Sequence, residues 1–591
     1  ILVEGVRKIS NSHQFVGKPL PRMEAPAKVV GKTIFADDLN FPRMVHAKLI
    51  LSKHAHARIK SINVDKALDL PGVEAVITAS ELPDYVHNSS ARHSVIFADD
   101  EVIFYGQPIA AVVATDPNIA REGCDLVDIS YETMPVVIDP VLAMDPQSPP
   151  ARSPLGDVDR TEEEGHITTD ANLSTVRDDN ESHNVASSSS FKRGNVEDGF
   201  NQADIILEKT WKSAMVHQSY IETHSTIADY DISGRLSIWT STQAPFYVRS
   251  EVAKALRLPE NQVEVTGMEV GGGFGGKIFL TELMVASLAM VMRRPVKLIM
   301  NRKEDLMAAV PAPQVVVNLK IGMSKEGILT ALKAHLIFDT GAFPGAPVLA
   351  GCLLIGGSYK CDNIDIEGCE VLTNKVSVGA LRAPGAHNVA FALESAIDMA
   401  SDQLKMDPLE VRLKNCVEEG DPLPSNQAYP RIGLKECLSA IAQTEIWQDR
   451  EFVKNKKPNV GIGLAIGGWM GGLQPASANV SLNSDGTVSV IVGAVDITGT
   501  NTSFAQIAGE VLKLPLSQIN VVTGNTSSAP YAGMTAGSKT MFTVGRAVKN
   551  AAENTLKQIL DLAAERLKVD VKKLEINDGK VWVQGNVDQS I

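Results

Sequence analysis

A chain of 591 residues is too long for one hydrophobic core, so three or more domains are expected. A net charge of −14 and a pI of about 5.4 leave no basic stripe to neutralise phosphates, which argues against a nucleic-acid partner. Hydrophobic residues at 44% and charged residues at 21% suit a globular protein, and no run of about 18 apolar residues could span a bilayer.

The N-terminal "ILVEGVRKIS" lacks an initiator Met and the shape of a signal peptide. The end, "NVDQSI", is abrupt, so a processed or partial chain is expected. From about Pro21 to Met144 the pattern is mixed α and β. "MVHAKLILS" and "PIAAVVAT" read as buried strands, and "PNIAREGCDLVDISYE" as a helix running into a strand. Residues 145–196 are rich in Pro, Ser and acid and read as a linker or exposed crossing loop. A second unit follows, in which "ADIILEKTWKSAM", "RLSIWTSTQ" and "NQVEVTG" alternate like strands. In the third unit, "ANVSLNSDGTVSVIVGAV" is a hairpin turning at Ser-Asp-Gly. The helix "TSFAQIAGEVLKL" comes next, then the long amphipathic helix "VGRAVKNAAENTLKQILDLAAERLKV". Six cysteines, Cys124, Cys352, Cys361, Cys369, Cys416 and Cys437, form no C-x-x-C pair. They read as buried thiols of a reducing compartment, which places the chain in the cytoplasm.

The stretch "EVGGGFGGKIFLTELMV", Glu269 to Val285, puts five glycines into six positions before a lysine. Gly271-x-Gly273-x-x-Gly276 fits the dinucleotide fingerprint, but no acid follows at 291–300 to hold a ribose. Gly271 with Gly276 and Lys277 fits the start of a P-loop, but Ile278 stands where Ser or Thr must hold magnesium. A tight strand-to-helix turn and a nest of N–H groups against a large non-phosphate cofactor remain.

Four segments together carry a family resemblance: "GGGFGGK", "SIWTSTQAPF", "GALRAPGAHNVAFALESAIDMASDQLKMDPLEVRLKN" and "SKHAHARI". In the order in which they follow one another along the chain they resemble the molybdenum hydroxylases, the xanthine dehydrogenase and aldehyde oxidase family, in its large molybdopterin-binding subunit. The resemblance runs from about Ala25 to the end. It implies an α+β chain: an N-terminal α/β hammerhead domain at 20–144, then two elongated molybdopterin-binding α+β domains at 197–425 and 426–591. The last of these reads as incomplete at its C-terminus. The resemblance also implies that the pterin dithiolene holds molybdenum, with no direct protein ligand to the metal. Gln243 matches the glutamine that bonds an oxygen ligand of the metal. Gly272, Gly273, Phe274 and Gly275 match the loop that approaches it, a closeness only glycine permits. Arg382 matches an arginine acting largely through its backbone, and Gly537 a small residue beside the metal. Ser538 and Lys539 would hold polar parts of the cofactor. His54 and His56 make an incomplete metal site and read as structural.

Several positions depart from the family. Ile278 stands where purine oxidisers carry a substrate-recognising Glu. Ala383 stands where carbon monoxide dehydrogenases carry a copper-binding Cys. Gly499 stands at the glutamine of a Gly-Gln-Gly. The general-base Glu of a C-terminal Gly-x-Gly-Glu motif is not found; Glu222, Glu282 and Glu510 are the glutamates weighed for it, and each reads as structural. The implied activity is hydroxylation of an electron-poor carbon of an N-heterocycle or aldehyde with water-derived oxygen. Electrons would pass to iron–sulfur clusters and FAD on an iron–sulfur subunit and an FAD subunit, in a dimer of heteromers. A separate polypeptide carrying the C-terminal region is one expectation; a non-catalytic scaffold, or half of a split molybdenum subunit, is the rival. The cofactor form, cytosine dinucleotide or unmodified, stays open.

Overall fold

The computed structural model describes residues 13–154, 182–451, 458–497 and 499–591. A seven-stranded sheet lies at its centre, in the order Val263–Gly267, Leu236–Thr240, Ser225–Tyr230, Val296–Ile299, Val45–Leu51, Pro108–Ala114, Val73–Ile77. Three of these strands come from the N-terminal unit and four from the second. The seam is parallel, with Val45 opposite Val296 and Ala47 opposite Leu298. Pro108–Ala114 is an unbroken apolar run buried at every position, as a strand covered on both faces requires. The helix Glu282–Met292 lies on this sheet, its residues from Glu282 to Ala289 buried.

A second sheet runs Val185–Arg193, Ile364–Leu372, Leu329–Gly341, Gln314–Met323, Ile205–Lys212. Its first strand corrects the reading of 145–196 as linker. Val185–Arg193 pairs antiparallel along Ile364–Leu372, and the Ser187 hydroxyl donates to Glu370 at 2.8 Å. A run of serines forms an edge strand here because a buried carboxylate takes one of its hydroxyls; strand formation depends on such context more than on intrinsic preference. Most of the remainder of that stretch lies outside the described residues.

The third unit holds the expected hairpin, Asn479–Leu482 with Val488–Val492, closed by Gly486 at φ 84°. Ile519–Thr523 adds in parallel after the helix Thr500–Leu512, and the helix Thr540–Leu567 covers the sheet. No helix among the described residues is long and apolar enough to cross a membrane. Cys352, Cys361, Cys369 and Cys416 are buried and unbridged, whereas Cys437 is exposed. Burial pushes the Cys361 thiol up to about 11.

Candidate functional site

The glycine loop leaves the strand Val263–Gly267 and reaches the helix Glu282–Met292 only after Lys277 to Thr281 have intervened. The glycines therefore do not open the helix, as a phosphate cradle of either motif would require. Their close approach is to protein groups. A Cβ on Gly273 would sit 2.5 Å from Gln243 Oε1, and one on Gly275, at φ 101°, would sit 2.6 Å from the Ala380 carbonyl oxygen.

Gln243 follows the strand Leu236–Thr240 and is only 4% exposed. Its N–H donates to the Lys277 carbonyl at 2.7 Å, and its carbonyl accepts from Thr535 N–H at 2.9 Å. Its Oε1 accepts from Gly275 N–H at 2.9 Å and Lys277 N–H at 3.4 Å. Its Nε2 donates to the Thr535 carbonyl at 2.9 Å. Those partners fix which end of the amide is nitrogen. A primary amide nitrogen carries two hydrogens, so one buried N–H remains for a ligand that presents an oxygen.

The Phe274 carbonyl accepts from Arg382 N–H at 2.9 Å, which ties the arginine loop to the glycine loop through backbone. The Arg382 side chain is exposed. Phe274, Ala383 and Ser538 have φ of 52°, 58° and 56°, left-handed values costly for residues with a Cβ. Comparable values at Arg293, Lys405, Lys513 and Lys568 are helix C-caps. The three here have no such cause, and strain of this kind collects at functional sites.

Thr535 joins the third unit to Gln243. Two residues on, the Gly537 carbonyl accepts from Gly472 N–H at 2.7 Å, and a Cβ at Gly537 would meet nothing within 4 Å. Ser538 is exposed, while Lys539 is 1% exposed at the start of the helix Thr540–Leu567. Burial pulls the Lys539 ammonium down to about 8. The second N–H of the Gln243 amide, the open space at Gly537 and the buried Lys539 are groups of the kind that suit an oxygen-bearing anionic ligand.

The three glutamates are engaged elsewhere. Glu222 Oε2 accepts from Lys277 Nζ at 2.6 Å and from Gly271 N–H at 2.7 Å. Glu282 accepts from the Thr240 hydroxyl and Leu280 N–H, both at 2.8 Å. Glu510 accepts from Phe15 N–H at 2.8 Å and pairs with Lys513. His56 lies between the Pro135 carbonyl and Glu101, and the His54 ring packs on Tyr131. No group of three His, Cys, Asp or Glu among the described residues could hold a metal ion. Gly499 opens the helix Thr500–Leu512, where the Asp496 carboxylate takes the Gly499 and Thr500 N–H groups.

One feature of the site carried no sequence signal. Asp305, fully buried, receives His224 Nδ1 at 2.7 Å, lies 3.1 Å from Arg302 and 3.3 Å from His217, and accepts the Tyr220 hydroxyl. Burial pushes its carboxyl up, and the histidines more than reverse this. Tyr220 and His224 lie 85 and 81 positions from Asp305 in the chain, so only the fold brings them together.

Comparison with known proteins agrees with this architecture. Residues 30–135 match the aldehyde oxidase and xanthine dehydrogenase a/b hammerhead domain. Residues 176–416 and 438–591 each match a molybdopterin cofactor-binding domain. The carbon monoxide dehydrogenase large chain of Afipia carboxidovorans is 28% identical over 97% of this chain and 74% of its own length. The probable hypoxanthine oxidase XdhD of Escherichia coli is 30% identical over 95% of this chain and 62% of its own. Quinoline 2-oxidoreductase from Pseudomonas putida 86 superposes with a TM-score of 0.87 at 26% identity, over 98% of this chain and 75% of that one. This chain thus spans about 62% to 75% of these relatives. It belongs to the xanthine dehydrogenase and aldehyde oxidase family of molybdenum-dependent oxidoreductases, as the molybdopterin-binding subunit.

Proposed function

We propose that this chain carries the molybdenum site of a cytoplasmic hydroxylase that places water-derived oxygen on an aldehyde or a simple N-heteroaromatic carbon. The leftover Gln243 N–H, buried beside the glycine loop, carries this reading. Gln243, Gly272, Gly273, Phe274, Gly275, the Arg382 backbone, Gly537, Ser538 and Lys539 would hold the molybdenum cofactor, in its cytosine dinucleotide or unmodified form. When bound, that group supplies the two-electron oxidation, and an iron–sulfur and an FAD subunit would carry the electrons away.

Among this chain's residues, Gln243 would orient an oxygen ligand and Lys539 would face the cofactor's polar part. Glu282 and Glu510 have both carboxylate oxygens bonded, while Glu222 keeps Oε1 without a partner on a carboxylate whose Oε2 holds the Lys277 ammonium. The base is expected in the part of the relatives that this match leaves over. Ile278 offers no carboxylate to a purine N–H, and a pocket without a polar partner discriminates weakly between apolar-edged substrates. Ala383 has no thiolate for Cu(I), which needs sulfur.

The assembled enzyme should therefore oxidise benzaldehyde or nicotinate faster than xanthine and leave carbon monoxide untouched. Steady-state rates with an artificial electron acceptor measure this, and faster turnover of xanthine overturns the ranking. Elemental analysis separates the reading from a scaffold, which would contain no molybdenum.

A further inference from the structure

We propose that Glu222 is a positioning residue for Gln243 and acts on it through Lys277; this rests on Gln243 being the residue that faces the cofactor. The glycine loop begins at Gly271 and ends at Lys277. One carboxylate oxygen, Glu222 Oε2, holds both ends: the Gly271 N–H at 2.7 Å and the Lys277 ammonium at 2.6 Å. Glu222 lies 49 and 55 positions away from them in sequence, so the clamp joins the loop to a separate segment.

Lys277 is the link. Its side chain is fully buried and its ammonium sits 4.8 Å from the centre of the Tyr220 ring. Its main chain grips Gln243 twice, by accepting the Gln243 N–H at 2.7 Å and by pointing its own N–H at Oε1 from 3.4 Å. Where Glu222 holds the Lys277 side chain, it thereby fixes the backbone on which the Gln243 amide hangs. The Tyr220 ring beneath the ammonium is itself held, its hydroxyl bonded to Asp305. The segment between them is held too: Arg302 donates to the Tyr220 and Ile221 carbonyls at 2.7 and 2.6 Å. Carboxylate, ammonium and ring thus form one packed support under the loop. A buried ion pair is weak evidence for stability, because desolvation offsets attraction; fixing a single geometry is its better-attested use.

The test is amide exchange by mass spectrometry across Val270–Ile278 in the full chain, with the helix Glu282–Met292 as internal control. Lys277→Met alone strands a half-buried carboxylate and will lower the melting temperature whatever the role of the pair. Glu222→Gln with Lys277→Met removes both charges at similar volume. In this double variant the melting temperature should recover, while exchange across Val270–Ile278 stays at least tenfold faster than in the parent and the control helix is unchanged. Recovery of parental exchange as well would show that the pair only packs, and would overturn the proposal. Glu222→Gln alone should also loosen the loop and lower molybdenum content at least fivefold in protein from molybdate-fed cells. Parental exchange and parental molybdenum with no turnover would make Glu222 the base instead, which likewise overturns it. If the assembled parent enzyme itself holds no molybdenum, the cofactor reading of Gln243 fails, and the exchange measurement still decides the clamp.

Discussion

At Gly273 one missing methyl group decides whether the loop closes. A Val there would press its Cβ to 2.5 Å from Gln243 Oε1, against an amide held by three partners. Overpacking of this kind costs about 1–3 kcal/mol, too little to unfold a protein of several domains. Gly273→Val should therefore give folded protein poor in molybdenum, seen as unchanged circular dichroism with reduced metal content; full metal content and activity would remove the loop from the site. Lys539 gives a second residue-scale test. Its folded value is lowered to about 8, while the unfolded chain keeps the ordinary 10.5. The unfolded state therefore binds more protons between those limits, and stability rises with pH across that window. Lys539→Met removes this proton-linked cost, so the stability of the variant relative to the parent should be greatest at pH 7 without cofactor. The gap should narrow as pH climbs past about 8, and melting temperatures of the two proteins at pH 7 and 9.5 measure it. Gln243 and Arg382 were legible because each sits in a short contiguous motif. The Glu222–Lys277 pair was not, because no local pattern announces a contact made across 55 positions.

The elements were legible wherever one face pattern dominated. "PIAAVVAT" became the buried strand Pro108–Ala114, and the long amphipathic pattern became the helix Thr540–Leu567. The strand Val185–Arg193 was hidden because serine has little strand preference and its pairing partner lies far along the chain. The shared seven-stranded sheet was hidden for a related reason: strand content is local, but strand order is not. Glu510 shows the same limit. It looked like a residue of an apolar helix, yet its carboxylate fastens residues 15 and 16, with Gln506 donating to the Phe15 and Lys18 carbonyls. Burial pushes the Glu510 carboxyl up, and the Phe15 and Val16 amides with Lys513 pull it well below the usual range, to about 2. A depressed carboxyl contributes stability above its unfolded value and loses it as pH falls through the folded one. The N-terminal segment should thus stay fastened at pH 5 and come loose progressively between about 4.5 and 2. Pepsin cleavage near Phe15 across that range reads this out, and Glu510→Gln should permit cleavage already at pH 4.5. Equal cleavage of both proteins would show that the carboxylate does not hold the segment.

At the scale of the whole molecule, the site is assembled from two units, since Gln243 and the glycine loop meet the third unit at Thr535. Every polar atom of the Gln243 side chain has a protein partner, and a single buried N–H of its amide is left over. A proton acceptor is the group still to be assigned among the glutamates weighed for it. Positioned carboxylates contribute about 10² to 10⁴ in rate, so a site without one keeps its cofactor chemistry but loses most of its turnover. Glu222 shares its oxygen with Lys277, Glu282 is fixed between Thr240 and Leu280, and Glu510 sits on the N-terminal segment. Glu282 and Glu510 would have to break a short bond to act, and the partnerless Oε1 of Glu222 belongs to a carboxylate whose charge is held beside an ammonium. Residues 1–591 purified alone should therefore bind cofactor loosely and turn over little, even with an artificial acceptor. Activity should require further polypeptide bearing the Gly-x-Gly-Glu motif beside Gln243. Changing that Glu to Gln in the assembled enzyme should abolish turnover and leave molybdenum content intact, because the cofactor contacts belong to Gln243, the glycine loop and the Gly537–Lys539 segment. If residues 1–591 alone hydroxylate substrate at the rate of the assembled enzyme, the base lies within them, and the partnerless Oε1 of Glu222 is the first place to look for it.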